Sequence, residues 1–390
     1  MSYLSGSVDL LKAVPILWRW FSPFLKKLPD KHPLKNFEGE TILQAMQKGV
    51  HFLLQDRLTA GEGSGGWGKS DRKFMGYIYP GEKLPSDSVM TTVVVLLALR
   101  AYIEYLFHTK TGEGEKFSQN KWQPIIKGLQ GYLEDRWDEL SGCGGPLAIG
   151  MHGDKSHGQS YRHTAWLLQL WYSLQGFKDR IDKTVECLIN RYNYNYIKTK
   201  EKVATAVAAY IAFQNLKKHH YPLDSANIAR KLIELEDIIS YKYQDGIQGW
   251  TSGKDSERGR QLYTLFTLTE LAAFDVKDTE LKKRMVRAMN ATVSGRWGPK
   301  TRHHGVPRLP DGSNGPDFNS SCLAASMLLR KYSVTGNLPG QEQRFLEGLL
   351  TYLFRELASN YETIQSQIYA WTLSYLIKDI CDLITSQETC

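Results

Sequence analysis

The sequence predicts an all-α fold, an (α/α)6 toroid or barrel of six helical hairpins, on three observations. Helical periodicity runs along most of the chain, with hardly any apolar–polar alternation. Charged amphipathic helices alternate with nearly charge-free ones. The pair recurs about every 50 to 60 residues, a spacing at which repeats dictate architecture. An amphipathic helix buries one stripe and a charge-free helix must be covered on nearly all sides. The two kinds therefore sort into an outer and an inner ring. Residues 36–390 form the toroid and residues 1–35 an N-terminal amphipathic arm outside the repeat.

Taken in order, the arm "VDLLKAVPILWRWFSPFLKKLPDKHPL" mixes Trp18, Trp20, Phe21 and Phe24 with Arg19, Lys26 and Lys27. That composition suits peripheral contact with a membrane surface. Pro15 and Pro23 break any long helix, and an arm packed across the outside of the toroid is equally compatible. The charged helices begin at Phe37, Asn120, Asp179, Asp224, Asp278 and Gly340. Each is followed by a charge-free partner, beginning at Asp87, Ser160, Lys202, Arg260, Asp317 and Ile364. The first of these, "DSVMTTVVVLLALRAY", carries no charge from Ser88 to Leu99, yet opens with Asp87, Ser88, Thr91 and Thr92. Long glycine-rich loops precede four of the inner helices and gather at one mouth of the barrel, where loops of that length are usually functional.

The chain has 390 residues, of which 42% are hydrophobic and 12% aromatic, with a net charge of +8. This is enough for a large core or an aromatic-lined cavity. Lys and Arg are scattered, so the charge favours an acidic small molecule or a membrane surface and no nucleic-acid partner is expected. Five dispersed cysteines without a Cys-x-x-Cys pair argue against a disulfide framework and for a reducing cytoplasm. The apolar run from Val93 meets Arg100 and Glu104 before it spans a bilayer.

"GGWG" (Gly65 to Gly68), a polar loop and a helix with Thr-Thr resemble the prenyltransferase and squalene-cyclase repeat, with weaker copies in "DGIQGW" (Asp245 to Trp250) and "SGRWG" (Ser294 to Gly298). The resemblance covers roughly residues 36 to 380 and implies a cavity for isoprenoid chains. Protein prenyl transfer would require zinc held by Asp, Cys and His. "DFNSSC" resembles the helix start that supplies the His, but Ser320 stands in its place, and no Asp-x-Cys element is expected; no metal or other cofactor is therefore expected. The class II cyclases resembled here protonate an alkene from an Asp-x-Asp-Asp motif. In this chain "SVMT" occupies that slot, with Met90 where the acid would be. The single-toroid merosterolic acid synthase type, which lacks the usual acidic motif, is the nearest enzyme resembled.

The displaced acid belongs at another inner-helix start. Asp317 is the first candidate, with Asn319 and Ser320 placed to hydrogen-bond it, and Asp87 the second; the plainer role of an Asp there is to cap the helix. Aromatic faces stabilise carbocations. Trp67, Tyr79, Trp166, Trp250, Tyr263, Trp297, Phe318 and Trp371, with Met90, are the candidate cavity wall. Arg162, His163, Arg302 and His304 are candidates to grip an anionic headgroup. The expected function is metal-independent, protonation-initiated cyclisation of a prenylated, anionic aromatic molecule by a cytoplasmic or membrane-peripheral protein. A carbohydrate-active (α/α)6 hydrolase or lyase, and an inactive isoprenoid-binding toroid, are the alternatives.

Overall fold

The computed structural model describes residues 28, 32–55, 88–108, 132–133, 136–145, 160–173, 177–222, 225–251, 260–294, 305–306, 316–364 and 368–386. Among them all regular structure is helical: α1 (Gly39–Gln55), α2 (Ser88–His108), α3 (Tyr161–Ser173), α4 (Lys178–Asn190), α5 (Tyr194–Thr199), α6 (Val203–Lys218) and α7 (Ser225–Tyr241). There follow α8 (Arg260–Leu271), α9 (Thr279–Val293), α10 (Phe318–Thr335), α11 (Gly340–Ser359), α12 (Tyr361–Ile364) and α13 (Ala370–Ser386). The charged helix expected from Asn120 falls almost wholly outside the described residues, as do the arm up to residue 27 and most of the glycine-rich loops.

The two helix types differ in burial as their composition requires. Every residue from Val203 to Phe213 in α6, and from Phe318 to Leu329 in α10, is buried. In α7 burial follows a stripe through Ile228, Leu232, Leu235 and Ile239. The charge-free helices pack in sequence: α2 on α3, α3 on α6, α6 on α8, α8 on α10 and α10 on α13, and α13 packs back on α2. The charged helices lie against them, α4 on α3, α7 on α6, α9 on α8, α11 on α10 and α1 on α13. By length and composition α2 is able to cross a membrane over Val89–Leu106, but most of that window is buried within the protein.

Hydroxyls near the starts of the charge-free helices hold the incoming chain. Thr164 Oγ1 accepts from the Gly144 N–H at 2.9 Å. Thr264 Oγ1 accepts from Trp250 N–H at 2.9 Å, and Ser321 Oγ from Val306 N–H at 2.8 Å. Each contact joins residues 14 to 20 apart in sequence, and each satisfies a backbone donor that would otherwise be buried without a partner. Thr91 and Thr92 are buried at the matching place in α2. Gly305 must be glycine, because φ is +90° and a Cβ would stand 2.5 Å from Ser321 Oγ. A buried carboxylate anchors the α8–α9 connection: Glu236 of α7 accepts from the backbone N–H groups of Lys277 and Asp278 and from the Tyr210 hydroxyl.

One expectation is corrected. Cys143 and Cys187 form a disulfide, joining the segment before α3 to α4. Wide spacing in sequence concealed the pair, because the packing of α3 on α4 brings residues 44 apart together. Cys322 and Cys381 are free and buried. The end of the arm is packed on the helical body: Leu28, His32 and Leu34 are buried, and Phe37 stands edge-on to Phe354 of α11.

Candidate functional site

Asp317 sits where the sequence places it, half-buried at the head of α10. Its backbone is extended and Oδ2 accepts from the Ser320 N–H at 2.7 Å and the Ser320 hydroxyl at 2.6 Å. That is the geometry of a helix N-cap. Asn319 Oδ1 accepts from the Tyr369 N–H and the Thr372 hydroxyl, both at 2.7 Å, tying the start of α10 to the start of α13. Phe318 is buried beside them. On the first turns of other charge-free helices, Met90, Arg162, Tyr263 and Trp371 are partly exposed and His163 is buried. Trp371 stands edge-on to both Phe266 and Tyr375. Trp250 belongs to the core, with its indole N–H donating to the Ile239 carbonyl at 2.8 Å and its ring edge-on to Tyr243. Asp87, Trp67, Tyr79, Trp297, Arg302 and His304 lie outside the described residues.

A cavity of about 560 Å3 lies among the middles and C-terminal ends of the charge-free helices. All six contribute to it. Val94, Leu97, Trp166, Ile211, Phe274 and Leu329 give an apolar wall. Of the described residues proposed from sequence, Trp166 alone lines this cavity. Much of the rest of the wall is polar, and its charges centre on Arg330 of α10.

Arg330 Nε lies 3.0 and 2.9 Å from the two Asp379 oxygens, and Nη1 is 3.2 Å from both Glu270 Oε2 and the Thr269 carbonyl. Its guanidinium lies 4.9 Å from the centre of the Tyr375 ring. The Thr269 carbonyl is among the last acceptors that α8 leaves unsatisfied, so Arg330 answers both a helix end and two carboxylates. Burial works to lower the Arg330 pKa, but Asp379 and Glu270 outweigh it and hold the guanidinium charged. Lys378 pairs with Asp382 one turn further on. At the lip, Arg100 pairs with the exposed Glu104, and the His219 ring stacks on Tyr172 with centroids 4.7 Å apart.

Sequence reasoning missed Arg330, Glu270 and Asp379, although each is a charge in a largely apolar helix, and such a charge requires a partner when buried. Asp379 and Cys381 also carry the Asp-x-Cys spacing that was expected to be absent. The carboxylate is occupied by Arg330, and burial pushes the Cys381 thiol well above its ordinary pKa, so neither stands as a free zinc ligand.

No protein-family model matches the chain, and no curated protein matches it.

Proposed function

We propose that the chain is an (α/α)6 toroid that takes a prenylated, anionic molecule along its axis and cyclises it without a metal. The observation that carries this reading is the cavity to which all six charge-free helices contribute. Its volume falls in the range of small-molecule sites. The cyclic order of helix packing supports a closed barrel around it. Thirteen residues separate Asp317 from Arg330 along α10, about 20 Å at the helical rise. The reading requires an extended polyprenyl chain to run beyond the described cavity, with its head at the Arg330 end and its terminal alkene near Asp317.

In this mechanism Asp317 donates its proton to the terminal alkene, Asp87 being the second candidate, and the π electrons of the next double bond close each ring. Loss of a proton from the last cation leaves an isomer of the substrate. Trp166, Phe318 and Trp371 supply negative π density, worth about 2 kcal/mol for each desolvated contact. Apolar walls exclude water that would quench the cation.

A second reading, binding without turnover, is favoured by one observation: the Asp317 carboxylate already serves as a cap for Ser320. The carbohydrate-active alternative uses a pair of free carboxylates, whereas Glu270 and Asp379 are both engaged by Arg330. A cytoplasmic or membrane-peripheral location remains part of the proposal, and the Cys143–Cys187 disulfide is the feature that weighs against it.

Incubation with geranylgeranylated hydroxybenzoic acids in EDTA, followed by mass spectrometry, tests the reading. An isomeric product of unchanged mass, lost in Asp317→Asn, is expected. Unchanged substrate that still raises the melting temperature would establish binding alone.

A further inference from the structure

One face of α3 carries three polar groups with nothing to bond. Trp166, Gln169 and Tyr172 follow one another at i, i+3 and i+6, and all three line the cavity. The Trp166 indole Nε1, the Gln169 Nε2 and the Tyr172 hydroxyl are buried and have no hydrogen-bond partner. Trp166 is 1% exposed and Gln169 is 8% exposed. Native proteins leave few buried donors unpaired, so three on one cavity wall call for an acceptor.

The chemistry of the three atoms is uniform. An indole N–H and an amide NH2 donate only, and a phenol that stays protonated donates as well. Burial, then the nearby Asp182, raises the Tyr172 pKa well above its ordinary value, which keeps its proton in place. The opposite wall offers no comparable surplus of acceptors. Glu270 and Asp379 are taken by Arg330, and Asp382 by Lys378. Lys218 brings positive charge to the lip, where Arg100 is already paired with Glu104. A ligand that presents donors meets carboxylates already engaged, whereas one that presents acceptor oxygens meets free donors and a cationic entrance.

We infer that the α3 stripe Trp166–Gln169–Tyr172 is an oxyanion-binding site, which receives the carboxylate or phosphate oxygens of a small-molecule ligand inside the cavity. The inference deepens the isoprenoid reading by giving the substrate's head a place. Only the identity of the tail rests on that reading.

The test is calorimetric titration of the purified full-length chain with 4-hydroxybenzoate, inorganic phosphate, geranylgeranyl phosphate, geranylgeranylated hydroxybenzoic acid and neutral geranylgeraniol. Binding of the acids or phosphates is expected, with the carboxylate and phosphate arms separating the two sources of the oxyanion. Gln169→Glu keeps the shape and replaces a donor by a repelling acceptor. It is expected to weaken anion binding at least about tenfold and to weaken geranylgeraniol binding far less. Tyr172→Phe and Lys218→Ala, at less buried positions, are expected to weaken it in the same direction should Gln169→Glu fold poorly. Equal affinity for the acid and the neutral alcohol would overturn the oxyanion site and spare the isoprenoid reading, pointing to water as the partner of the three donors. Binding of small anions without tailed ligands would uphold the site and remove the isoprenoid. Absence of binding by every probe would overturn both.

Discussion

The hydroxyl of Thr264 accepts a hydrogen bond from the Trp250 N–H and donates one to the Trp250 carbonyl, at 2.9 and 3.1 Å. One side chain thereby closes both backbone groups of a residue in the preceding loop. Thr164 likewise accepts from the Gly144 N–H at 2.9 Å, while its own proton goes to the Ser160 carbonyl at 2.9 Å, and Ser321 accepts from Val306. The repeat is therefore a repeat of tethers as well as of helices.

Thr264→Val is expected to leave the buried Trp250 N–H unpaired and to destabilise the protein by about 1–3 kcal/mol. Thr264→Ser retains the oxygen and is expected to cost less than half of that. Urea denaturation of the two variants separates the hydroxyl from the methyl group, and equal losses would show the tether to be incidental.

Removal of Arg330 strands two carboxylates in the wall of the cavity. Arg330→Ala is expected to cost about 3–5 kcal/mol, the usual penalty for breaking a buried pair from one side. Arg100→Ala, whose partner Glu104 is exposed, is expected to cost no more than about 0.5 kcal/mol. A double-mutant cycle with Asp379→Asn measures the coupling directly. Losses of similar size at both arginines would contradict the paired geometry.

The Cys143–Cys187 bridge closes a loop with a sequence separation of 44, for which chain entropy predicts a stabilisation of about 4 kcal/mol. The chain holds five cysteines, so alkylation of the unfolded, unreduced protein is expected to label three, since two are bridged. Dithiothreitol is expected to raise the count to five and to lower the melting temperature. Five labelled cysteines before reduction would show that the bridge does not form.

His32 gives a pH dependence of definite sign. It is buried against the edge of Tyr332, its Nδ1 accepts from the Leu34 N–H, and burial followed by Lys35 lowers its pKa to about 4. Above its ordinary pKa of 6.5 the ring is neutral both folded and unfolded. Between 6.5 and about 4 only the unfolded chain takes up the proton, so stability falls as the pH falls. The stability advantage of the wild type over His32→Gln is expected to shrink through that window. Thermal melts of both proteins from pH 7.5 to about pH 4 provide the check, and a constant gap would refute it.

The helical body was legible wherever burial is recorded in composition. The charge-free runs of α6 and α10 announce helices covered all round, and Asp278 and Asp317 announce the starts of α9 and α10 by capping them. The short helices α5 and α12 left no periodic signal long enough to read. Among the described residues the site was legible only at Trp166. Glycine-rich loops drew attention to the helix N-termini, while the described cavity lies toward the opposite ends. Its key residue, Arg330, has partners that sit 49 and 60 residues away, a relation that no local pattern records.

The packing of α13 against α2 has a consequence for biosynthesis. α2 ends at His108 and α13 begins at Ala370, so the wall they share cannot exist until the chain has been made through α13. The growing polypeptide must carry the apolar flank of α2 unsheltered while the intervening helices are made. Chains that lose α13 to a premature stop should therefore expose a long hydrophobic seam and fall to chaperones or proteases, however intact their remaining hairpins.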